Sequence, residues 1–377
     1  MMNKGETVFD KNKDDLENCL KFLESMVELS PEDEQNMTEL LAYLKSVVLR
    51  KYPSVEVKPF GSSACDLGFH GSDLDICIEF GQRLFGKKEK EIKSIKLAKL
   101  LRQHERFREA EAIVDARTPI VQFQDMKTGI KCDISPCSVS MGRLNTKYIK
   151  FCVTFDPRVR SLIMIVKCFA KRHHISGSGL GDHLNSYSIV LLVIAFLQSQ
   201  EILHPLSVLQ AAPGLTKVLV NDHNFSFCSD TSSLPPLHPN TLNTTQLLHG
   251  FFNYYGQFDF HSNAVSLLYG KTVSKESLFL QQHLLVVQDP FELSRNVTAA
   301  VSSRRLLHLV SSCQAASTLL RLMLTEAREE ELGHMFGLLF QPRFLEFSAL
   351  YEPGLLQLGA TGQGRGTGRM KPAGRPG

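Results

Sequence analysis

Hydrophobic residues near the N-terminus recur every three or four positions, which places them on one face of an α-helix. They are Leu16, Leu20, Leu23 and Val27. The run Ser30-Pro31-Glu32-Asp33 then has the form of a helix start, with a capping serine, a proline in the first turn and acidic residues. A second helix is therefore predicted from there to about residue 50, where Tyr52-Pro53 ends it.

Alternation of apolar and polar residues begins after residue 53 and predicts short strands. The alternating runs are 55–60, 74–80, 120–124 and 130–134. Lys127-Thr128-Gly129 lies between the last two runs and indicates a hairpin. The charged run 88–110 is predicted to be helical. Together these elements predict a small mixed α/β unit.

Helical spacing returns after Asp156. Residues 158–172 place apolar side chains on one face, and Asn185-Ser186 is predicted to cap an apolar helix from Tyr187 to about Gln198. An aromatic-rich helix is predicted over 247–258, after a loop at 228–240.

These patterns divide the chain into four parts. They are N-terminal helices packing on the helical domain (1–52), the mixed unit (53–142), a helical domain (143–330) and a C-terminal extension (331–377). The Gly/Arg-rich tail from residue 354 is expected to be disordered.

Composition narrows the function classes without choosing one. Hydrophobic residues make up 43% and charged residues 21%, so the chain can bury a core. The net charge of +3 permits a polyanionic partner but does not demand one. The longest apolar run, 189–197, is far shorter than the roughly 20 residues of a membrane helix. Scattered cysteines and an N-terminus without an apolar or Arg-rich leader predict reduced thiols and a location in the cytoplasm or nucleus.

Three aspartates carry the candidate chemistry. Asp73 and Asp75 are two residues apart on a predicted strand, so they point to the same face, where they would repel each other unless a cation lay between them. Asp133 on a later strand would complete a set of oxygen ligands that suits Mg²⁺ or Mn²⁺. Two such ions would activate a hydroxyl and stabilise a leaving pyrophosphate.

A glycine and two serines precede the first pair of aspartates. Gly61 closes the first predicted strand, and the absence of a side chain there lets a phosphate approach the backbone. The hydroxyls of Ser62 and Ser63 and the N–H groups of a following helix start can then bind the phosphates.

Residues 60–80 resemble the signature of the polymerase-β-like nucleotidyltransferase superfamily. Over about residues 30–325 the chain is similar to the noncanonical poly(A) polymerases and terminal uridylyltransferases. The supporting motifs are Ala116–Val121, Asn145-Thr146, Asp156–Val159, Val166–Arg172, Asn185–Tyr187, Leu248–Phe252 and Asp289–Val297. Residues 175–179 and 289–297 most resemble the uridylyltransferases that act on U6 small nuclear RNA, and the middle of the second domain is similar to mitochondrial poly(A) polymerase.

This resemblance implies an α+β fold. It has a polymerase-β-like palm of mixed sheet and helices, and a helical central domain with a PAP-associated segment at about 245–297. The active site is expected in the cleft between them. The resemblance implies that Asp73, Asp75 and Asp133 are the catalytic metal ligands. Asp133 is our candidate to assist deprotonation of the RNA 3′-hydroxyl, since it can share the metal that the attacking oxygen binds.

The same resemblance assigns the nucleotide-binding residues. Gly61, Ser62 and Ser63 would lie at the triphosphate, Lys167 and Lys171 would neutralise its β- and γ-phosphates, and Ser186 would add a contact. Tyr187 would stack on the base, whereas Asn145 and Thr146 would meet the ribose 2′-hydroxyl. Asp289, Glu292 and Arg295 complete the assigned set.

Arg295 bears on the choice of base. Uridylyltransferases of this family usually carry His at this position, where it contacts O4 of uracil. Arginine is only a hydrogen-bond donor, so it favours uracil O4 over the adenine amino group if it points inward. If it points to solvent, the selection is lost and ATP becomes the expected substrate.

The expected function is therefore template-independent addition of UMP, or alternatively AMP, to an RNA 3′ end by a monomeric enzyme with no membrane partner. Two other hypotheses stay open: a catalytically inactive RNA-binding scaffold, and a nucleotidyltransferase that does not use an RNA primer.

Overall fold

The computed structural model describes residues 4–81, 86–116, 118–177 and 182–340. Arg117, part of the 175–179 motif and the tail from residue 354 therefore lie outside the described residues. The fold is α+β, as expected, and combines a mixed sheet with a helical domain. No helix in the described part of the chain is long and apolar enough to span a membrane.

Two helices open the described chain, α1 (Lys4–Val27) and α2 (Pro31–Lys51). The start of α2 is a capping box, in which the Asp33 amide donates to Ser30 Oγ (3.1 Å) and the Ser30 amide donates to Asp33 Oδ2 (2.9 Å). This satisfies N–H groups that a helix start leaves without partners. The sequence therefore predicted this boundary correctly.

The palm is a five-stranded sheet in the order β1-β2-β5-β4-β3. Its strands are β1 (Glu56–Phe60), β2 (Leu74–Glu79), β3 (Phe107–Ile113), β4 (Ile120–Asp125) and β5 (Lys131–Cys137). The central pair β2–β5 is parallel and the other pairs are antiparallel. One face packs on α3 (Lys87–Leu101) and α2, in a core that includes Leu44, Ile76 and Leu97.

Strand β3 was not predicted, because the run 88–110 was expected to be helical throughout. The helix α3 ends at Leu101, and the chain turns into an edge strand that buries Phe107 and Ala110. This strand contains a bulge, with Glu109 at φ 55°, and is tied to the helix end by Arg102 Nε donating to the Ala110 carbonyl (2.7 Å). Pairing with β4 outweighs the helical preference of this Glu- and Ala-rich run.

The two N-terminal helices belong to different cores. Helix α1 packs on the helical domain, where the Asn12 side chain donates to the carbonyls of Met323 and Ala327. Helix α2 packs against the sheet instead, through Leu40, Leu44 and related residues. The expectation that both would pack on the helical domain was therefore wrong for α2, whose buried apolar residues share a core with those of β1 and β2.

The helical domain contains six helices among the described residues. They are α4 (Met141–Phe155), α5 (Pro157–Arg172), α6 (Ser186–Ser199), α7 (Leu206–Gln210), α8 (Thr244–Gly256) and α9 (Ser303–Thr325). Helix α10 (Glu329–Phe340) packs on α5 and α9. The predicted cap of α6 is present, since Asn185 accepts from the Ser188 amide (2.8 Å).

Short strands complete the second domain. They are β6 (Leu219–Val220), β7 (His223–Asn224), β8 (Asn263–Ser266), β9 (Lys271–Ser274) and β10 (Val287–Gln288). Strands β8, β9 and β10 form one small sheet, and the run 289–297 leaves it at the end of β10. This sheet, which the sequence patterns did not reveal, positions the last of the predicted nucleotide-binding residues.

Candidate active site

Asp75 and Asp133 are direct partners in the sheet. They occupy paired positions on the parallel strands β2 and β5, and Asp73 lies two residues earlier, just before β2 begins. Side chains at paired positions of neighbouring strands lie on the same face. The sheet therefore brings together the three carboxylates that the sequence singled out.

The electrostatics of these carboxylates favour a cation. Burial, together with the charges of Asp133 and Asp73, raises the pKa of Asp75 to about 7. Burial and the charge of Asp73 also raise the pKa of Asp133, although a hydrogen bond from Gln122 opposes the rise. A divalent cation among the three groups would remove this repulsion, and carboxylate oxygens are the ligands that Mg²⁺ prefers.

The side chains as placed do not form a closed metal cage. Within the described ranges, no three His, Cys, Asp or Glu residues are grouped tightly enough to hold a metal ion by themselves. Magnesium keeps several water and phosphate ligands in nucleotide-binding sites, so it does not need such a cage. The donor set on β2 and β5 therefore suits a metal shared with the substrate.

Gly61 allows the backbone to come close to Asp75. It follows β1, whose last residue Phe60 pairs with Asp75, and it has φ +74°. A Cβ atom at this position would collide with Asp75 Oδ2. Glycine is needed here for its conformation and for the space it leaves beside the carboxylate.

Thr146 fixes Gly61 from the other side. The Gly61 amide donates to Thr146 Oγ1 (2.9 Å), and that hydroxyl donates to the Gly142 carbonyl (2.8 Å). Thr146 is buried, so in this structure its hydroxyl links α4 to the glycine turn. These two hydrogen bonds do not test the predicted contact of Thr146 with a ribose, which stays a prediction.

Ser62 and Ser63 follow within the same turn. The Ser62 carbonyl accepts from the Leu67 amide (3.0 Å), which closes the loop after a short 3₁₀ turn at Ser63–Cys65. The Ser63 hydroxyl is buried and has no hydrogen-bond partner within the described ranges. Both predicted phosphate contacts therefore lie on a loop whose backbone is fixed.

Five further predicted residues form one polar network. Asn145 Nδ2 donates to Tyr187 Oη (2.8 Å), and that hydroxyl donates to Asp289 Oδ2 (3.2 Å). Arg295 Nη1 then lies 3.4 Å from Asp289 Oδ2 and 3.3 Å from Glu292 Oε1. The network joins α4, the start of α6 and the run after β10, so residues far apart in sequence meet at one place.

Two atoms of this network have no hydrogen-bond partner. They are Asn145 Oδ1 and Arg295 Nε, both of them buried and unpartnered among the residues that the structure describes. Buried polar atoms in folded proteins are nearly always hydrogen-bonded. An acceptor and a donor without partners are the features that a nucleotide with ribose hydroxyls and a polar base edge would satisfy.

The predicted phosphate-binding lysines differ in their surroundings. Lys167 is buried, its ammonium group donates to the Leu67 carbonyl, and it lies 4.4 Å from the centre of the Phe69 ring. Burial lowers the pKa of Lys167 to about 8. Lys171, one helical turn later, and Ser186, at the start of α6, are exposed.

Gln122 was not among the predicted site residues. It pairs with Asp133 across β4 and β5, and its side chain is hydrogen-bonded to that carboxylate. The hairpin around Lys127-Thr128-Gly129 contained the signal, because pairing of residue 124 with residue 131 also places residue 122 opposite residue 133. The sequence therefore held enough information to find it.

Family models match two separate parts of the chain. Residues 16–153 match the model described as "Poly(A) RNA polymerase, mitochondrial-like, central palm domain", and residues 243–295 match "Cid1 family poly A polymerase". The two ranges together cover about half of the chain, and they contain the aspartates and the network residues Asn145, Asp289, Glu292 and Arg295. The chain belongs to the family of noncanonical poly(A) polymerases and terminal uridylyltransferases. Members of this family are two-metal nucleotidyltransferases.

Two curated relatives from Homo sapiens illustrate the range of the family. The chain is 30% identical to terminal uridylyltransferase 4 over 292 residues, which cover 74% of this chain and 17% of that protein. It is 27% identical to the mitochondrial poly(A) RNA polymerase over 295 residues, covering 72% of this chain and 50% of that one. The chain thus spans at most about half the length of these relatives.

Solved structures of family members share the fold. The structure of mtPAP in complex with UTP superposes with a TM-score of 0.74 at 25% identity, covering 88% of this chain and 71% of that one. A mutant of the Cid1 poly(U) polymerase bound to MgATP gives a TM-score of 0.73 at 25% identity, covering 85% and 98%. The resemblance and fold class expected from the sequence are therefore confirmed.

Proposed function

We propose that this chain is a template-independent RNA 3′-terminal nucleotidyltransferase that adds UMP from UTP and releases pyrophosphate. The observation that carries the proposal is the pairing of Asp75 with Asp133 in the centre of the sheet, with Asp73 beside them. All three acids of the family's catalytic set are retained, which argues against an inactive scaffold.

The reacting groups would meet at the three aspartates. Asp73, Asp75 and Asp133 would hold Mg²⁺ or Mn²⁺, which when bound would neutralise charge on the attacking hydroxyl and the leaving pyrophosphate. Asp133 would accept the proton from the RNA 3′-hydroxyl as that oxygen attacks the α-phosphate in line. The main contribution of the chain is to position the reacting groups and to compensate the charge that develops on them.

The triphosphate would lie between the glycine turn and the end of α5. Lys171 and Ser186 are exposed and would supply a cation and a hydroxyl. Lys167 would add a second cation after giving up the Leu67 carbonyl. Ser62 and Ser63, on the turn after β1, would approach the same phosphates.

The base and ribose would occupy the network around Tyr187. Its hydroxyl is held by Asn145 and Asp289, so the orientation of its ring is set before a base stacks on it. Stacking tolerates every base, and discrimination must come from hydrogen bonds. Asn145 and Thr146 would serve the ribose 2′-hydroxyl.

The direction of Arg295 supports UTP. Although the Arg295 side chain is 30% exposed, its guanidinium is paired with Asp289 and Glu292 in the network, and a donor in this position would be available to O4 of uracil. ATP is the second candidate, because the carboxylate of Glu292 beside Arg295 offers an acceptor for the adenine amino group.

The test is to supply each of the four NTPs separately to the purified chain with a short RNA and Mg²⁺. We expect extension of the RNA by UTP above the other three, and none when the RNA carries a 3′-phosphate. Asp75→Ala should abolish extension, although the variant should still fold and show a cooperative unfolding transition. Near-normal tailing by this variant would contradict the assignment, and product formed without RNA would point to a primer-independent enzyme.

A further inference from the structure

A proline-rich segment lies on the surface of the helical domain, away from the proposed site. Residues 234–240 read Leu-Pro-Pro-Leu-His-Pro-Asn and precede α8. Each proline fixes its own φ near −65° and disfavours the helical conformation for the residue before it. Leu234 accordingly has φ −94° and ψ 151°. This proline segment is therefore extended.

Exposure along the proline segment repeats every third residue. Leu234, Leu237 and Asn240 are half-buried, whereas the two residues between each of them are exposed. A polyproline II helix has three residues per turn, so its side chains form three edges. One edge faces the protein, and the other two, Pro235 with His238 and Pro236 with Pro239, face solvent.

The backbone of the segment makes no hydrogen bonds to other backbone groups, as in a polyproline helix. Across the described residues, no backbone–backbone hydrogen bond involves residues 235–239. The polyproline II helix makes no internal hydrogen bonds, and its solvated backbone leaves carbonyl groups open to a partner.

The segment is nevertheless held in place, through its inner edge and through one contact of the exposed His238. Arg158 Nη1 donates to the carbonyl (3.0 Å) and the side-chain oxygen (3.1 Å) of Asn240, while Asn240 Nδ2 donates to the Gln200 carbonyl (3.0 Å). Leu234 packs against the helical core, and His238 Nδ1 lies 2.5 Å from Glu201 Oε2. A ligand ordered in advance loses less conformational entropy when it binds.

Two hollows beside the proline segment leave its solvent-facing edges, here called the ridge, accessible. They have volumes of about 520 and 450 Å³, and both are lined by Pro235, Pro236, Leu237 and His238. The larger one separates the segment from Tyr254 and Tyr269. A partner that grips a ridge needs room for its own walls on either side, and these hollows supply that room.

We propose that residues 234–240 are a polyproline ligand for a separate protein domain with an aromatic-lined groove of the SH3 kind. Such grooves bind polyproline helices with the spacing Pro-x-x-Pro, which Pro236 and Pro239 provide. Grooves of this kind contact two edges of the polyproline helix. In residues 234–240 these would be the two solvent-facing edges, because the third edge faces the rest of the protein.

This surface is independent of nucleotide binding. Helix α6 begins at Ser186 beside Tyr187 and ends near Gln200 and Glu201, which contact the segment. At about 1.5 Å per residue the helix separates the two places by roughly 20 Å. A partner bound at the ridge would therefore leave the nucleotide cleft open.

The test measures binding of the full chain to a panel of purified SH3 domains by titration calorimetry. At least one domain should bind, and the double substitution Pro236→Ala with Pro239→Ala should weaken that binding at least tenfold. Pro213→Ala, which changes an exposed proline outside the segment, should leave it unchanged. RNA extension by the double variant should match the unsubstituted chain, which shows that it is folded.

Two results would overturn the proposal. One is that no domain in the panel binds the full chain more tightly than it binds the double variant. The other is that domains bind a free peptide of residues 230–243 but not the full chain, which would mean that the fold does not present the ridge.

Discussion

Gly61 is in contact with the carboxylate of Asp75. The glycine has φ +74°, and any Cβ there would overlap Oδ2 of the aspartate. Since the Gly61 amide is also bound to Thr146, the turn cannot move aside without breaking that bond. The Asp75 carboxylate, a proposed metal ligand, can therefore occupy its position only because residue 61 has no side chain.

Substitution Gly61→Ala should inactivate the enzyme. The added methyl group displaces the Asp75 carboxylate, so we expect RNA extension to fall at least a hundredfold in a single-turnover assay. Gly214→Ala is the control, because Gly214 has a similar φ (+73°) but no atom within 4 Å of the added Cβ. It should cost about 1 kcal/mol of stability and no activity. Comparable loss in both variants would show that backbone strain, not the collision, is responsible.

Removal of the Asp75 charge should stabilise the metal-free protein. Because burial and neighbouring acids raise the pKa of Asp75 from 3.8 to about 7, the folded state holds a proton that the unfolded state releases. Stability from this group therefore declines as pH rises from about 4 to about 7 and is level above that. In EDTA, Asp75→Asn should gain stability over the unsubstituted chain across this range, by at most about 4 kcal/mol.

The measurement is chemical unfolding in EDTA at several pH values between 4.5 and 8. Asp222→Asn, which neutralises an exposed carboxylate, is the matched control and should show no such pH-dependent gain. Addition of Mg²⁺ should stabilise the unsubstituted chain but not Asp75→Asn. An equal gain for Asp75→Asn at pH 4.5 and pH 8 would contradict the proposed repulsion.

The palm aspartates could be predicted because their signal is local. Asp73 and Asp75 are spaced for one face of a strand, and Asp133 lies on a strand of clear alternation, so their types and faces follow from the sequence. Their pairing across β2 and β5 could not be read in the same way. It depends on a parallel crossover, whose register is fixed by packing of α3 and the sheet rather than by a turn.

The network around Tyr187, by contrast, could not be predicted from local sequence patterns. Its members come from three distant segments, and only the family resemblance grouped them; nothing in their spacing predicts that Asn145 meets Tyr187. The same holds for Lys167, whose bond to the Leu67 carbonyl depends on how the loop folds over α5. Edge strand β3 was missed because its Glu and Ala residues favour a helix until β4 offers a partner.

Tyr187 should contribute to nucleotide affinity mainly through its ring. Tyr187→Ala removes stacking worth about 1–3 kcal/mol, so KM for UTP should rise about 5- to 150-fold. Tyr187→Phe keeps the ring and loses only the bonds to Asn145 and Asp289, so a smaller rise is expected. Tyr269→Ala, at an exposed tyrosine on the turn before β9, is the control and should leave KM unchanged. Equal effects of the Phe and Ala substitutions would assign Tyr187 a structural role instead of a stacking one.

Arg295 should decide between uracil and adenine. Its guanidinium is paired with Asp289 and Glu292, and in the proposed site this would present a donor to O4 of uracil, where adenine offers only an amino group. Arg295→Ala should therefore lower the ratio of kcat/KM for UTP over ATP by about tenfold, the equivalent of about 1.4 kcal/mol. Arg295→His should keep part of the preference, since a protonated or suitably oriented imidazole also donates.

The comparison requires both nucleotides at subsaturating concentration with the same RNA. Arg321→Ala, which removes an exposed arginine paired with Glu326 far along α9, should leave the ratio unchanged. An unaltered ratio in both Arg295 variants would remove this residue from base selection. A higher ratio for ATP in the unsubstituted chain would instead mean that Glu292 reads the adenine amino group and that Arg295 serves to orient it.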